Sequence, residues 1–212
     1  MEVGITHEPN WLLFLAQLPA APSSARVALW RRLRAAGAAS ALNGAWVLPQ
    51  AEGHAELFAQ LADSVRKQNG SATVFLVQAM SPTEQETLIT RFQADRAREY
   101  DEFAERSRGF LDEIKEETRL RKFTFAELEE IEDDLNKLSA WFAKIKTRDF
   151  FPDARIQKAT EQFETCGTAL TAFAEEVYAH EGVNAPIECD ADPLDANGRE
   201  HAPKHPGRRQ HG

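Results

Sequence analysis

The chain has little cysteine, two residues in 212, and Cys166 and Cys189 are too few and too unpatterned for a disulfide framework or a zinc site. It also lacks a long hydrophobic run. The longest, Trp11 to Leu18, is about strand length, whereas a membrane-spanning helix needs roughly 18–20 apolar residues. No Lys or Arg precedes that run to make the basic start of a signal peptide, so a cytoplasmic location with no membrane partner is expected. There is no glycine-rich phosphate loop, no Cys-x-x-Cys pair, no local nucleophile motif and no flavin or nicotinamide fingerprint. No catalytic residue, cofactor or metal is therefore assigned, and an enzyme is not expected. Basic residues are the minority, 25 Lys and Arg against 34 Asp and Glu, for a net charge of -9. A globally acidic protein gains no general attraction to nucleic acid or anionic lipid, so any polyanion site must be a local patch.

The charge is unevenly distributed. Residues 1–81 hold six Lys/Arg and five Asp/Glu, residues 82–182 hold fifteen and twenty-four, and residues 183–212 hold four and five. This divides the chain into three compositional segments.

In the first segment, the run Trp11–Leu18 ended by Pro19 suits a strand buried on both faces. Pro22-Ser23-Ser24 supplies a helix start and Gly37 a stop. Asn43-Gly44 between two apolar pieces predicts a hairpin, because both turn residues tolerate positive φ. A helix follows from about Gly53 to Asn69 with Leu57, Leu61 and Val65 on one stripe, and Ala72–Gln78 closes the segment as a strand. The resulting order, βαββαβ, is the ferredoxin-like pattern. Its first helix carries Arg26, Arg31, Arg32 and Arg34, and no acidic residue lies between Glu8 and Glu52. At 100° per residue Leu29, Leu33 and Ala36 face the core and Arg31 and Arg34 share a flank. Arg32 points to the other side, and Arg26 falls on the core stripe in the first turn. These four arginines form the candidate patch for DNA phosphate or another oxyanion, against the blander reading of a solvated helix face.

The second segment predicts three long helices. Ser81-Pro82-Thr83-Glu84 and Thr124-Phe125-Ala126-Glu127 are capping boxes, and a third helix starts near Asp153 and stops at Gly182. The first carries Ile89, Phe92, Tyr100, Phe103, Phe110 and Ile114, interrupted by polar Arg96 and Ser107. The seam of the second runs through Phe125, Leu128, Ile131, Leu135, Leu138, Phe142 and Ile145, and that of the third from Ile156 through Cys166 to Val177. One apolar face per helix and short connections imply an antiparallel hairpin or small bundle. The acid run from Glu127 to Asp134 mostly faces away from its seam, which marks a solvated surface in preference to a metal site. Cys166 lies on a seam, as a small buried hydrophobe would, and His180 near a helix C-terminus suits a capping role. Arg148-Asp149-Phe150-Phe151 sits between two helices and is expected to close the interhelical corner with its aromatics, with Arg148 and Asp149 paired. The third segment has almost no large apolar residue and reads as a disordered tail. Its His201, His205 and His211 with Cys189 fit no standard metal spacing. The expected architecture is thus α+β: a ferredoxin-like domain over 1–80, an antiparallel helical region over 81–182 and a tail over 183–212.

Three stretches carry a family resemblance: Trp11–Pro19 with Pro22-Ser23-Ser24, Trp30-Arg31-Arg32-Leu33 leading through Gly37 into Asn43–Pro49, and Leu138 to Phe151. Together they resemble the N-terminal domain of the ChrB chromate-resistance regulators over most of the chain. The Trp-Arg-Arg-Leu to Trp-Val-Leu-Pro unit is also similar to the ferredoxin-like domain of PaaX-type repressors. The resemblance implies a non-catalytic regulator that binds DNA at the operator of a chromate-efflux operon, with chromate as effector. The arginine-bearing helix would contact phosphate and the helical unit would support a homodimer. Longer family members carry a further C-terminal domain; a chain without it would bind DNA or a partner without responding to chromate, or would work beside a separately encoded C-terminal-type partner. Two other readings compete: an interaction scaffold or accessory subunit without DNA binding, and a chromate reductase using Cys166. The ferredoxin-like nucleases of CRISPR adaptation place an Asp after their first strand, where this chain has Gln17-Leu18-Pro19, so no nuclease activity is expected.

Overall fold

The computed structural model describes residues 10–182, Pro22 excepted. The expectations for the tail, including Cys189, His201, His205 and His211, lie outside the described residues. The first unit runs β1 (Trp11–Gln17), α1 (Ser23–Ala35), β2 (Ala39–Leu42), β3 (Ala45–Pro49), α2 (His54–Lys67) and β4 (Ser71–Val77). Its four strands form an antiparallel sheet in the order β2-β3-β1-β4, the ferredoxin-like arrangement expected from the element order. Asn43-Gly44 makes the β2–β3 turn. Gly44 has φ 78°, and a Cβ there would stand 2.6 Å from the Ala16 carbonyl oxygen, so the turn needs glycine both for conformation and for space.

Because side chains alternate across a strand, the sheet has two differently covered faces. Leu12, Phe14 and Leu48 pack with Leu33 of α1 and Phe58, Leu61, Ala62 and Val65 of α2. Trp11, Ala39 and Val47 lie on the opposite face. That second face is covered at one end only, so β1 is not buried on both faces throughout: Trp11 is fully buried whereas Leu15 is 38% exposed.

The cover comes from the helical region, α3 (Pro82–Leu120), α4 (Phe125–Thr147) and α5 (Ala154–His180). The three starts are capped as expected: the Glu84 and Glu127 amides donate to the Ser81 and Thr124 hydroxyls, and the Arg155 amide donates to Asp153. The seams close a common core in which Phe103 stacks on Phe142 at 4.7 Å and both approach Phe163. Where the seam of α3 turns polar, Ser107 is fully buried beside Cys166, whose Sγ lies 3.7 Å from the Ser107 carbonyl oxygen. Burial pushes the Cys166 thiol pKa up, so the group stays protonated. In the acid run, Glu129, Glu130, Glu132 and Asp133 are exposed, as a solvated face requires. His180 lies against Phe123, with ring centroids 6.1 Å apart.

The N-terminal turns of α3 leave the bundle and cross the sheet. Phe92 stacks on Trp11 at 5.6 Å, and the Trp11 indole donates to Gln85 Oε1 at 2.7 Å. Phe151, from the α4–α5 corner, completes the cluster at 5.7 Å from Trp11 and 5.5 Å from Phe92. Phe92 is 2% exposed, so Phe92→Ala would open a cavity where sheet, α3 and corner meet. The expected cost is about 3–5 kcal/mol in urea unfolding. Leu120→Ala, at the far end of the same helix and 44% exposed, should change stability by less than about 0.5 kcal/mol.

Candidate nucleic-acid interface

The four arginines of α1 do not form one patch. Arg31 and Arg32 are exposed, and among the described residues neither makes an ion pair or side-chain hydrogen bond. Arg31 points directly away from the Leu29–Leu33 stripe and Arg32 lies on one flank, as the helical angles require. Arg34 is different, because it already has a carboxylate partner: its guanidinium donates to Asp95 Oδ2 of α3 at 2.9 Å. With side chains only 33% and 20% exposed, the pair ties the C-terminal end of α1 to the long helix. Arg26 is exposed although it lies toward the sheet side of α1. It lines a cleft of about 490 Å³ under the N-terminal end of that helix.

The cleft exists because α1 is held at one end. Over 13 residues it buries only Leu33, whereas α2 buries Phe58, Leu61, Ala62 and Val65 over 14. Just beyond α1, Gly37 (φ 77°) comes against the α4–α5 corner, where an added Cβ would stand 3.0 Å from the Arg148 Cβ and 3.1 Å from Phe150. The Arg34–Asp95 pair and this close approach fix the C-terminal end of α1.

The corner residues Arg148, Asp149, Phe150 and Phe151 lie between α4 and α5 as expected, but their partners differ from the expected ones. Arg148 does not pair with Asp149. It donates to Glu99 Oε2 at 3.0 Å and to the Lys144 carbonyl at 2.9 Å. Asp149 accepts instead from the Tyr100 hydroxyl at 2.7 Å. The aromatics face the sheet: Phe150 meets Phe92 and the edge of His54, whose Nδ1 lies 2.7 Å from the Pro49 carbonyl oxygen. Glu99 serves a second cation, Arg96, at 2.9 Å. Arg96 is 4% exposed, and burial pulls its pKa down against the pull of Glu99. Asp95, Arg96, Glu99 and Tyr100 are thus the positioning residues that sequence reasoning missed. The only local signal was the polar interruption of the α3 seam at Arg96.

A second concavity has the opposite electrostatic character. A groove of about 700 Å³ between α3 and α4 has Phe110, Leu138 and Trp141 along its floor and Glu102, Glu105, Glu113 and Asp134 around it. Its cations are engaged locally, Arg106 with Glu102 and Lys137 with Asp134. Partial burial, and then the carboxylates of Asp134 and Glu130, push the Glu113 pKa up. Such a groove repels phosphate.

The family described as "Protein ChrB, N-terminal" matches residues 26–184, three quarters of the chain. The chain belongs to that ChrB N-terminal family. Protein ChrB of Cupriavidus metallidurans is 33% identical over 96 residues, which is 45% of this chain and 29% of that protein. The chain's match therefore spans less than a third of its ChrB relative. The family match takes in α1 from Arg26, the elements from β2 through β4 and all three long helices, and β1 lies outside it. Among the described residues no helix is long and apolar enough to cross a membrane.

Two measurements test the bracing network. Glu99→Ala would strand two largely buried guanidinium groups and should cost about 3–5 kcal/mol in chemical unfolding, whereas Arg96→Met, which removes a buried charge, should cost clearly less. Burial, with the hydrogen bond to Asp149 next, holds the Tyr100 pKa above its ordinary value. A folded pKa raised in this way gives stability that is complete below about pH 10 and is lost as the pH rises further. Unfolding free energy should therefore fall more steeply between about pH 10 and 11.5 for the native chain than for Tyr100→Phe.

Proposed function

We propose that the protein is a chromate-resistance regulator that binds duplex DNA through the exposed side of α1, with Arg31 and Arg32 as phosphate contacts. The observation that carries this reading is the pair of exposed arginines, neither with a described carboxylate partner, on a helix whose far end is fixed to α3. A guanidinium offers paired donors to a phosphate, and a braced helix presents them at little ordering cost. Family membership supplies the link to chromate resistance. In this reading the operator belongs to a chromate-efflux operon, chromate is the effector and the protein acts in the cytoplasm without catalysis. It would act as a homodimer.

The acidic groove between α3 and α4 favours a second reading, in which the protein is an accessory scaffold that docks a cationic partner and has no DNA affinity of its own.

The two readings separate in a fluorescence anisotropy titration on duplex DNA from upstream of the protein's own gene cluster. Regulation requires selective, salt-sensitive binding that chromate weakens. Changing Arg31 and Arg32 together to Ala should lower the slope of log affinity on log salt by about two. Arg34→Ala should lower stability and leave that slope nearly unchanged. Equal affinity for a scrambled duplex, or no affinity, would contradict regulation and favour the scaffold.

A further inference from the structure

The cleft under α1 is a different kind of site from the exposed arginines above it. Its floor is apolar, made by Ala16 and Leu18 at the end of β1, Leu29 and Leu33 of α1 and the half-buried Trp46 of β3. Its rim carries Arg26 and Trp30 of α1, Gln17 and the turn residue Asn43. No Asp or Glu lines it, and Arg26 has no ion pair among the described residues.

Three features of this lining are hard to account for by folding alone. A large aromatic, Trp30, stays 53% exposed at the edge of a cavity instead of closing it. An arginine occupies the sheet-facing side of a helix, a direction where an apolar residue would help hold α1 down. The helix also gives up burial along most of its length, where α2 on the same face does not. Each becomes intelligible if the space is for a ligand. Two indole rings offer flat, polarizable faces that favour another aromatic ring. One guanidinium with no carboxylate partner among the described residues attracts a carboxylate or phosphate and disfavours a cation. The amides of Gln17 and Asn43 provide donors and acceptors for the edge of a heteroaromatic ring. At about 490 Å³ the cleft lies in the range of small-molecule sites. A lone tetrahedral oxyanion would fill only a fraction of it and would face mostly apolar walls.

We propose that this cleft binds a planar aromatic ring bearing one anionic group, with the ring between Trp30 and Trp46 and the anion on Arg26. The same chemistry is found in a free aromatic carboxylate and in a nucleoside monophosphate. The proposal does not depend on DNA binding by Arg31 and Arg32.

The test is a titration of the full chain, labelled at its indole nitrogens, with indole-3-carboxylate and separately with thymidine 5′-monophosphate. Neutral indole and sodium sulfate serve as comparators. The four tryptophans supply an internal control. Trp30 and Trp46 line the cleft, whereas Trp11 is hydrogen-bonded to Gln85 under the far side of the sheet and Trp141 lies in the helical groove. The expected result is saturable movement of the Trp30 and Trp46 resonances with at least one of the two anions and little movement of the other two. Arg26→Gln should weaken binding about tenfold and Arg26→Lys should recover part of it. Tighter binding of the nucleotide would identify a nucleotide source, and tighter binding of the carboxylate a free aromatic acid. The proposal is overturned if neither anion moves Trp30 and Trp46 at millimolar concentration, if all four tryptophans move alike, if Arg26→Gln binds as well as the native chain, or if sulfate binds as tightly as the aromatic anions.

Discussion

The aromatic contact between Trp11, Phe92 and Phe151 is the interaction on which the remaining arrangement depends. A four-stranded sheet with helices on one face leaves its other face apolar, and a three-helix bundle has no reason of its own to lie beside a sheet. Here the first strand sends Trp11 to the uncovered face, the N-terminal turns of α3 bring Phe92 onto it, and the α4–α5 corner packs Phe151 against both. The contact joins three stretches of chain far apart in sequence, so it brings the sheet and the bundle into one structure. It covers only one end of the sheet, which is why Leu15 and Phe75 on the same face remain partly exposed.

Charge completes what the aromatics begin. Around the contact lie three cations and three carboxylates, Arg34, Arg96 and Arg148 with Asp95, Glu99 and Asp149, and the Tyr100 hydroxyl satisfies the carboxylate that no arginine reaches. Burying ions is expensive unless each has a partner, and Glu99 holds two of them. One consequence falls on α1. Its C-terminal end is bound to α3 through Arg34 and lies next to the corner through Gly37, while its N-terminal end stands away from the sheet. The same helix therefore presents two arginines outward and one over a cleft, two environments that suit different ligands.

The order of elements was legible because local signals mark it. Asn43-Gly44 gave the hairpin, Ser81 with Glu84 and Thr124 with Glu127 gave helix starts, and the three-and-four spacing of large apolar residues gave the seams of the bundle. Burial of Cys166 followed from its place on such a seam. What was not legible depends on contacts between distant positions. Arg34 and Asp95 are 61 residues apart, and Arg148 and Glu99 are 49 apart. Arg31 and Arg34 are only three residues apart on α1, and it is the passage of α3 beside Arg34 that gives them different roles. Arg148 and Asp149 are adjacent and opposite in charge, which suggested a pair, yet better-buried partners on α3 take both. The aromatics of the corner could be seen as corner residues, but their target on the sheet could not.

The central claim is that the aromatic contact makes the sheet and the bundle one cooperative unit and so fixes the end of α1. Native-state hydrogen exchange across a denaturant series tests it most directly. On this account the slowest amides of β1 and β3, of the N-terminal half of α3 and of α4 open together, with a common free energy and a common dependence on denaturant. Sheet amides that exchange through a separate opening of clearly lower free energy, while the bundle stays protected, would contradict it.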